Sequence, residues 1–125
     1  MNVLLDTQLY LWYLAESKAL TKERRKAIGK ASQVYVSAVS LWEAVIKIGL
    51  GRLHADPQGL KDGIAGSGFL ELPMQTVHTI TLAQLPLHHR DPFDRMLVAQ
   101  AMTEGLELLT TDAQLSTYSH FVRHI

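Results

Sequence analysis

A chain of 125 residues and 14.0 kDa has one domain's worth of sequence, which excludes two full domains and predicts a single domain over residues 1–125. Its 47% hydrophobic and 19% charged residues can bury a core and exclude a disordered segment, while the lack of cysteine excludes disulfide scaffolds, thiolate zinc sites and cysteine nucleophiles. Twelve basic residues balance twelve acidic ones, so no basic surplus marks a nucleic-acid binder unless several acids are sequestered on a metal ion.

The opening Asn2-Val3-Leu4-Leu5 is a short apolar run expected to form a buried strand, and Asp6-Thr7 ends it. No apolar run approaches the roughly 18 residues of a membrane span, and no basic segment or cleavage site accompanies the first one, so a cytoplasmic chain without a membrane anchor is expected. Leu9, Trp12 and Tyr13 recur at helical spacing, and a second helix is expected from Lys22 to about Ala31 behind a Thr21 cap. Val34-Tyr35-Val36-Ser37 reads as the second strand. Ser40, with Glu43 three residues on, matches a capping box and predicts a helix to about Ile48, ended by Gly49 and Gly51. Asp56-Pro57 marks another helix start, Gly66-Ser67-Gly68 its stop, and Phe69-Leu70-Glu71-Leu72 a short strand. Thr76 to about Gln84 is a further helix. In Asp91-Pro92 an acidic cap precedes a proline at the first helical position, opening a helix that runs toward Gly105. Glu107-Leu108-Leu109-Thr110 is the last strand, ending at Thr111-Asp112 before a short helix and tail. Strands alternating with helices predict an α/β fold whose mainly parallel sheet is covered on both faces.

Open parallel sheets gather functional groups where strands end and helices begin. Asp6 and Asp112 follow two strands, and Glu43 and Asp94 fall in expected first helical turns, so four carboxylates from distant parts of the chain could share one cleft. Their mutual repulsion demands neutralisation, and an all-oxygen set favours Mg²⁺ or Mn²⁺. Such an ion makes water nucleophilic and offsets charge on a phosphoryl oxygen, which suits phosphodiester hydrolysis. Each acid also has a plainer role: Glu43 could complete a capping box with Ser40, Asp94 could complement the helix dipole, and Asp112 could cap a turn. Asp91 is assigned to capping. Asp6 is the hardest to dismiss, since Thr7 could provide any cap needed there.

Four stretches together resemble a PIN domain of the kind found in VapC-type toxin ribonucleases of bacterial toxin–antitoxin modules. They are Val3-Leu4-Leu5-Asp6-Thr7, Ser37 through Ser40-Leu41-Trp42-Glu43, His88 through Asp91-Pro92-Phe93-Asp94-Arg95 to Ala101, and Leu108-Leu109-Thr110-Thr111-Asp112. The resemblance runs in order over nearly the whole chain; its specificity comes from the Asp-Pro-Phe-Asp-Arg segment and the ordered acids. It implies a three-layer α/β/α sandwich, Mg²⁺ or Mn²⁺ dependence, RNA cleavage, dimerisation and inhibition by a cognate antitoxin. It implies Asp6, Glu43, Asp94 and Asp112 as catalytic metal ligands and Thr110 as the hydroxyl-bearing catalytic residue beside the last acid.

Other features carry less. His88 and His89 are adjacent, and no histidine pair has helical metal-ligand spacing, so no histidine zinc site is expected. The Lys22-Glu23-Arg24-Arg25-Lys26 run is expected to be a solvated helix face rather than an RNA contact. Arg90 and Arg95 flank the acidic segment and are placed to touch phosphate or pair with acids. Trp12 and Trp42 are expected in a core or interface. Leu9, Tyr10, Trp12 and Tyr13 exceed what one helix stripe can bury, so part of the first helix is expected to meet a second copy or an antitoxin. Two alternative functions are open: a receiver-like signalling domain, for which the paired acids, middle-strand phosphoacceptor and late lysine are missing, and a non-catalytic interaction module.

Overall fold

The computed structural model describes residues 1–87 and 90–125; His88 and His89, set aside above as zinc ligands, lie outside them. Short apolar runs form strands β1 (Asn2–Leu5), β2 (Gln33–Ser37), β3 (Leu70–Leu72), β4 (Glu107–Thr110) and β5 (Val122–His124). Between them lie helices α1 (Thr7–Leu14), α2 (Lys22–Gly29), α3 (Ala38–Gly49), α4 (Pro57–Gly66), α5 (Thr76–Gln84) and α6 (Pro92–Glu104), and a 3₁₀ turn over Ala113–Thr117. The strands pair in parallel in the order β3-β2-β1-β4-β5. The chain therefore winds outward from β1 on one side and then returns to build the other, which leaves a crevice at the carboxyl ends of β1 and β4.

Alternation along the strands divides the core in two. Leu4, Leu108 and Val122 face α6 through Leu97, Val98 and Ala101, with Leu82 and Leu85 from the α5 region added. Val3, Leu5, Val34, Val36 and Leu109 face the opposite way, against Leu9 and Tyr10 of α1, Ile28 of α2 and Ile64 of α4. The result is the expected three-layer α/β/α sandwich. No described helix is long and apolar enough to cross a membrane.

Several boundaries differ from expectation for local reasons. Helix α3 begins at Ala38, because the Ser37 hydroxyl accepts from the Val39 N–H at 3.0 Å and caps it. Glu43 thus lies in the second turn and is no capping-box partner of Ser40. Asp6 is itself the cap of α1, accepting from Leu9 N–H at 2.7 Å. Helix α2 stops at Gly29, two residues short of the expected end, and the tail contributes the unanticipated edge strand β5.

The expectation for the first helix is also corrected. Leu9 and Tyr10 are buried, while Trp12 and Tyr13 are half-buried and covered by this chain's own groups. The Arg24 guanidinium lies 5.3 Å from the Trp12 ring, Arg25 lies 6.0 Å from Tyr13, and Phe69 packs on Tyr13 at 4.9 Å. Exposed apolar side chains occur elsewhere: Trp42, Val45 and Ile46 on α3, Leu50 just after it, and Val77 and Ile80 on α5.

Tyr10 binds α4 to α1, its hydroxyl donating to the Leu60 carbonyl at 2.6 Å. Burial pushes its pKa up to about 12 from 10.0. A raised folded-state value means that the neutral phenol is favoured by folding, so this contribution is complete below pH 10 and is lost as pH rises through 12. Denaturant melts across that range should show a steeper alkaline loss of stability for the wild type than for Tyr10→Phe.

Candidate active site

The crevice predicted by the strand order is a cleft of about 220 Å³ lined by Asp6, Thr7, Gln8, Glu43, Lys47, Asp91, Asp94, Thr111 and Asp112. The four carboxylates singled out in the sequence therefore share one cavity. Asp91, assigned to capping, does cap α6, accepting from the N–H groups of Phe93 and Asp94 at 2.9 and 3.2 Å, and it lines the cleft as well.

Asp6 sits at the end of β1, whose register with β4 is fixed when the Asp6 N–H donates to Leu109 O at 2.9 Å. Its Oδ1 serves as the α1 cap. Its Oδ2 accepts from the Thr110 hydroxyl at 2.8 Å and from the Thr111 N–H at 3.0 Å. Burial holds the Asp6 carboxyl above the usual carboxylate range; those donors pull it back down, and the Glu43 charge raises it further. Among the described residues no cation pairs with Asp6.

Glu43, on the inner face of α3, is also buried. Its Oε1 accepts from the Thr7 hydroxyl at 2.8 Å, and its Oε2 lies 3.0 Å from Lys47 Nζ. The Thr7 hydroxyl is also 2.9 Å from the Ser40 hydroxyl. Asp112 caps the 3₁₀ turn, accepting from Gln114 N–H at 2.9 Å.

Thr110 lies beside the last acid, behind the cleft rather than in its wall. It is fully buried, does not line the cleft, and connects two residues that do: it donates to Asp6 and accepts from the Asp112 N–H at 3.0 Å. It is a positioning residue. Thr110→Val removes both contacts and leaves the Asp112 N–H without its acceptor, a change expected to cost about 1–3 kcal/mol, measurable by urea unfolding.

A second positioning pair was not evident in the sequence. The Ser37 hydroxyl that caps α3 donates to Gln100 Oε1 of α6 at 2.6 Å, and both side chains are fully buried. This contact ties the helix carrying Glu43 to the helix carrying Asp94. Outside it, Trp42 and Phe93, the sequence neighbours of those two acids, pack edge-on at 4.9 Å. Arg95 points elsewhere, donating to Leu85 O at 3.2 Å, and does not line the cleft.

Among the described residues, no three side chains of His, Asp or Glu are grouped closely enough to hold an ion as they stand. The hydrogen bonds above explain this, since Glu43 is drawn to Thr7 and Lys47 while Asp91 and Asp112 accept from their own helix starts. The donor set nevertheless fits a hard divalent cation: it is all oxygen, and Asp6, a buried acid beside Glu43, has no cationic partner among the described residues.

A family model described as PIN domain matches residues 3–120. Ribonuclease VapC22 of Mycobacterium tuberculosis is 29% identical across 95% of this chain and 93% of that protein. Solved structures share the fold at lower identity. VapBC2 from Rickettsia felis, bound to a DNA fragment from its promoter, superposes with a TM-score of 0.70 at 12% identity, covering 99% of this chain and 98% of that one. A toxin–antitoxin complex from Klebsiella pneumoniae gives 0.67 at 18%, with coverage of 98% and 99%. FitAB bound to an IR36 DNA fragment gives 0.68 at 17%, with coverage of 99% and 94%.

Proposed function

This chain belongs to the PIN domain family, and from that premise we propose that it is a single-domain, metal-dependent endoribonuclease acting as the toxin of a toxin–antitoxin module in the cytoplasm. The observation that carries the proposal is the convergence of Asp6, Glu43, Asp94 and Asp112 on one cleft at the switch point of a parallel sheet. RNA as substrate is supported by the ribonuclease name of the Mycobacterium relative.

In this reading Asp6, Glu43, Asp94 and Asp112 hold Mg²⁺ or Mn²⁺. When bound, the ion supplies Lewis-acid charge that makes water nucleophilic near neutral pH and offsets charge on the phosphoryl oxygens. The chain's own groups aim the ligands: Thr110 and the Thr111 N–H orient Asp6, Thr7 orients Glu43, and the Ser37–Gln100 contact sets the spacing of α3 and α6. Burial of the Thr110–Asp6 and Thr7–Glu43 contacts keeps them from exchanging with water, so these two acids are held in place.

A cognate antitoxin as partner is supported by the names of two similar structures, a VapBC2 assembly and a toxin–antitoxin complex, and we add a homodimer to the proposal. The exposed apolar side chains of α3 and α5 are the surface we assign to such contacts, in place of the first helix. Size analysis of the chain alone and co-expressed with a candidate antitoxin tests this; a monomer that captures no partner contradicts it.

Glu43→Gln tests the active site. The amide can still accept from Thr7, so the melting temperature should stay within a few degrees, yet RNA cleavage in Mn²⁺ should fall by about a hundredfold. Retained cleavage at full stability would remove Glu43 from the metal site.

A further inference from the structure

The acidic cleft poses a problem for its own substrate. Five carboxylate residues line it, and RNA arrives as a polyanion whose phosphates they repel. Lys47 is the one cation among the described residues that line the same cleft. It stands one helical turn after Glu43, with Nζ 3.0 Å from Oε2, and its side chain is 41% exposed against 9% for Glu43. The two ends of the Glu43 carboxylate are thus held differently: Oε1 by the buried Thr7 hydroxyl, Oε2 by a lysine that reaches out to solvent.

A Glu–Lys pair four residues apart contributes little to helix stability in itself, and although Glu43 is buried, the lysine end of this pair is 41% exposed, so stability alone gives Lys47 no strong reason to sit at this mouth. A lysine is a compact charge on a flexible stem and can change partner without moving the backbone. We propose that Lys47 is a substrate-phosphate residue of the cleft, held on Glu43 Oε2 as a placeholder until a divalent ion takes that oxygen, and then free to bind a phosphate oxygen of the RNA. This rests on the metal-dependent ribonuclease reading above. The placeholder state holds the Glu43 carboxylate in position while no ion is bound, and the released state supplies the positive charge that the substrate meets at the rim.

The proposal requires effects of opposite sign. Lys47→Met removes a competitor for Glu43, so calorimetry should show Mn²⁺ binding about threefold tighter than in the wild type. The same protein should show KM for a single-stranded RNA raised about tenfold, with a smaller change in kcat, and the slope of log(kcat/KM) against log salt reduced by about one. Lys47→Arg should retain most of the RNA effect. Unchanged Mn²⁺ affinity together with unchanged KM in Lys47→Met would overturn the proposal and leave a surface ion pair. Weaker Mn²⁺ binding would overturn it too, by making the lysine a support for Glu43. A wild type that neither binds Mn²⁺ nor cleaves RNA would instead defeat the ribonuclease reading, so the two failures are distinguishable.

Discussion

Asp6→Asn should abolish metal-dependent RNA cleavage while leaving a folded protein. Losing an outer-shell partner of a metal ligand costs about 10–100-fold, so losing a central ligand should cost more than about a hundredfold. The effect on stability is smaller because two terms oppose. An asparagine relieves the burial of a charge, the cause that raises the Asp6 pKa. Its amide nitrogen, however, must face either the Leu9 N–H or the Thr111 N–H, both donors to the native carboxylate, and an orphaned buried donor costs about 1–3 kcal/mol. Calorimetric Mn²⁺ titration beside thermal melting separates the two. Lost affinity with a cooperative melt within a few degrees of wild type is expected; unchanged affinity would exclude Asp6 as a ligand.

The opposite profile is expected for Leu97→Ala. Leu97 is fully buried on α6, in the core layer with Leu4, Val39 and Leu108, one turn beyond Asp94. Truncating it leaves a cavity between helix and sheet, with an expected loss of about 2–5 kcal/mol. That is a large part of the total for a domain of this size, which is on the order of 5–15 kcal/mol. Urea unfolding should show the midpoint falling with little change in slope. At temperatures where the protein stays folded, activity should fall far less than in Asp6→Asn, because Asp94 keeps its place in the first turn behind the Asp91 cap. A wild-type midpoint would mean that the packing around α6 is misplaced.

The alternating layers were legible because strand and helix signals are local. Asp91-Pro92, Asp56-Pro57 and Thr21 each cap a helix as their residue types predict. The start of α3 was not, since Ser37 and Ser40 are equally good caps and Glu43 completes the pattern only with the second. What decides between them is tertiary: Ser37 is fixed by Gln100 and Glu43 is claimed by Thr7 and Lys47, all contacts that helix signals do not report. Asp6 was legible as a site acid but not as a cap, because one carboxylate performs both tasks with different oxygens. Strand β5 has three residues and no alternating pattern; it forms because β4 offers an open edge, with Ile125 N–H donating to Thr110 O at 2.9 Å. Trp12 and Tyr13 suggested an interface, yet Arg24 and Arg25, ten or more residues on, cover them through ring contacts.

In the proposed reaction, water activated at the carboxylate cleft with a divalent ion cuts RNA. Hydrolysis by water leaves a phosphate monoester at each cut, whereas attack by the ribose 2′-hydroxyl leaves a 2′,3′-cyclic phosphate and needs no metal. The most direct measurement is mass spectrometry of RNA fragments produced by the purified wild type in Mn²⁺, in chelator, and beside Asp6→Asn. Linear phosphate monoester ends, formed only by the wild type and only with the metal, are expected. Cyclic phosphate ends, or cleavage that persists in chelator and in Asp6→Asn, would contradict it.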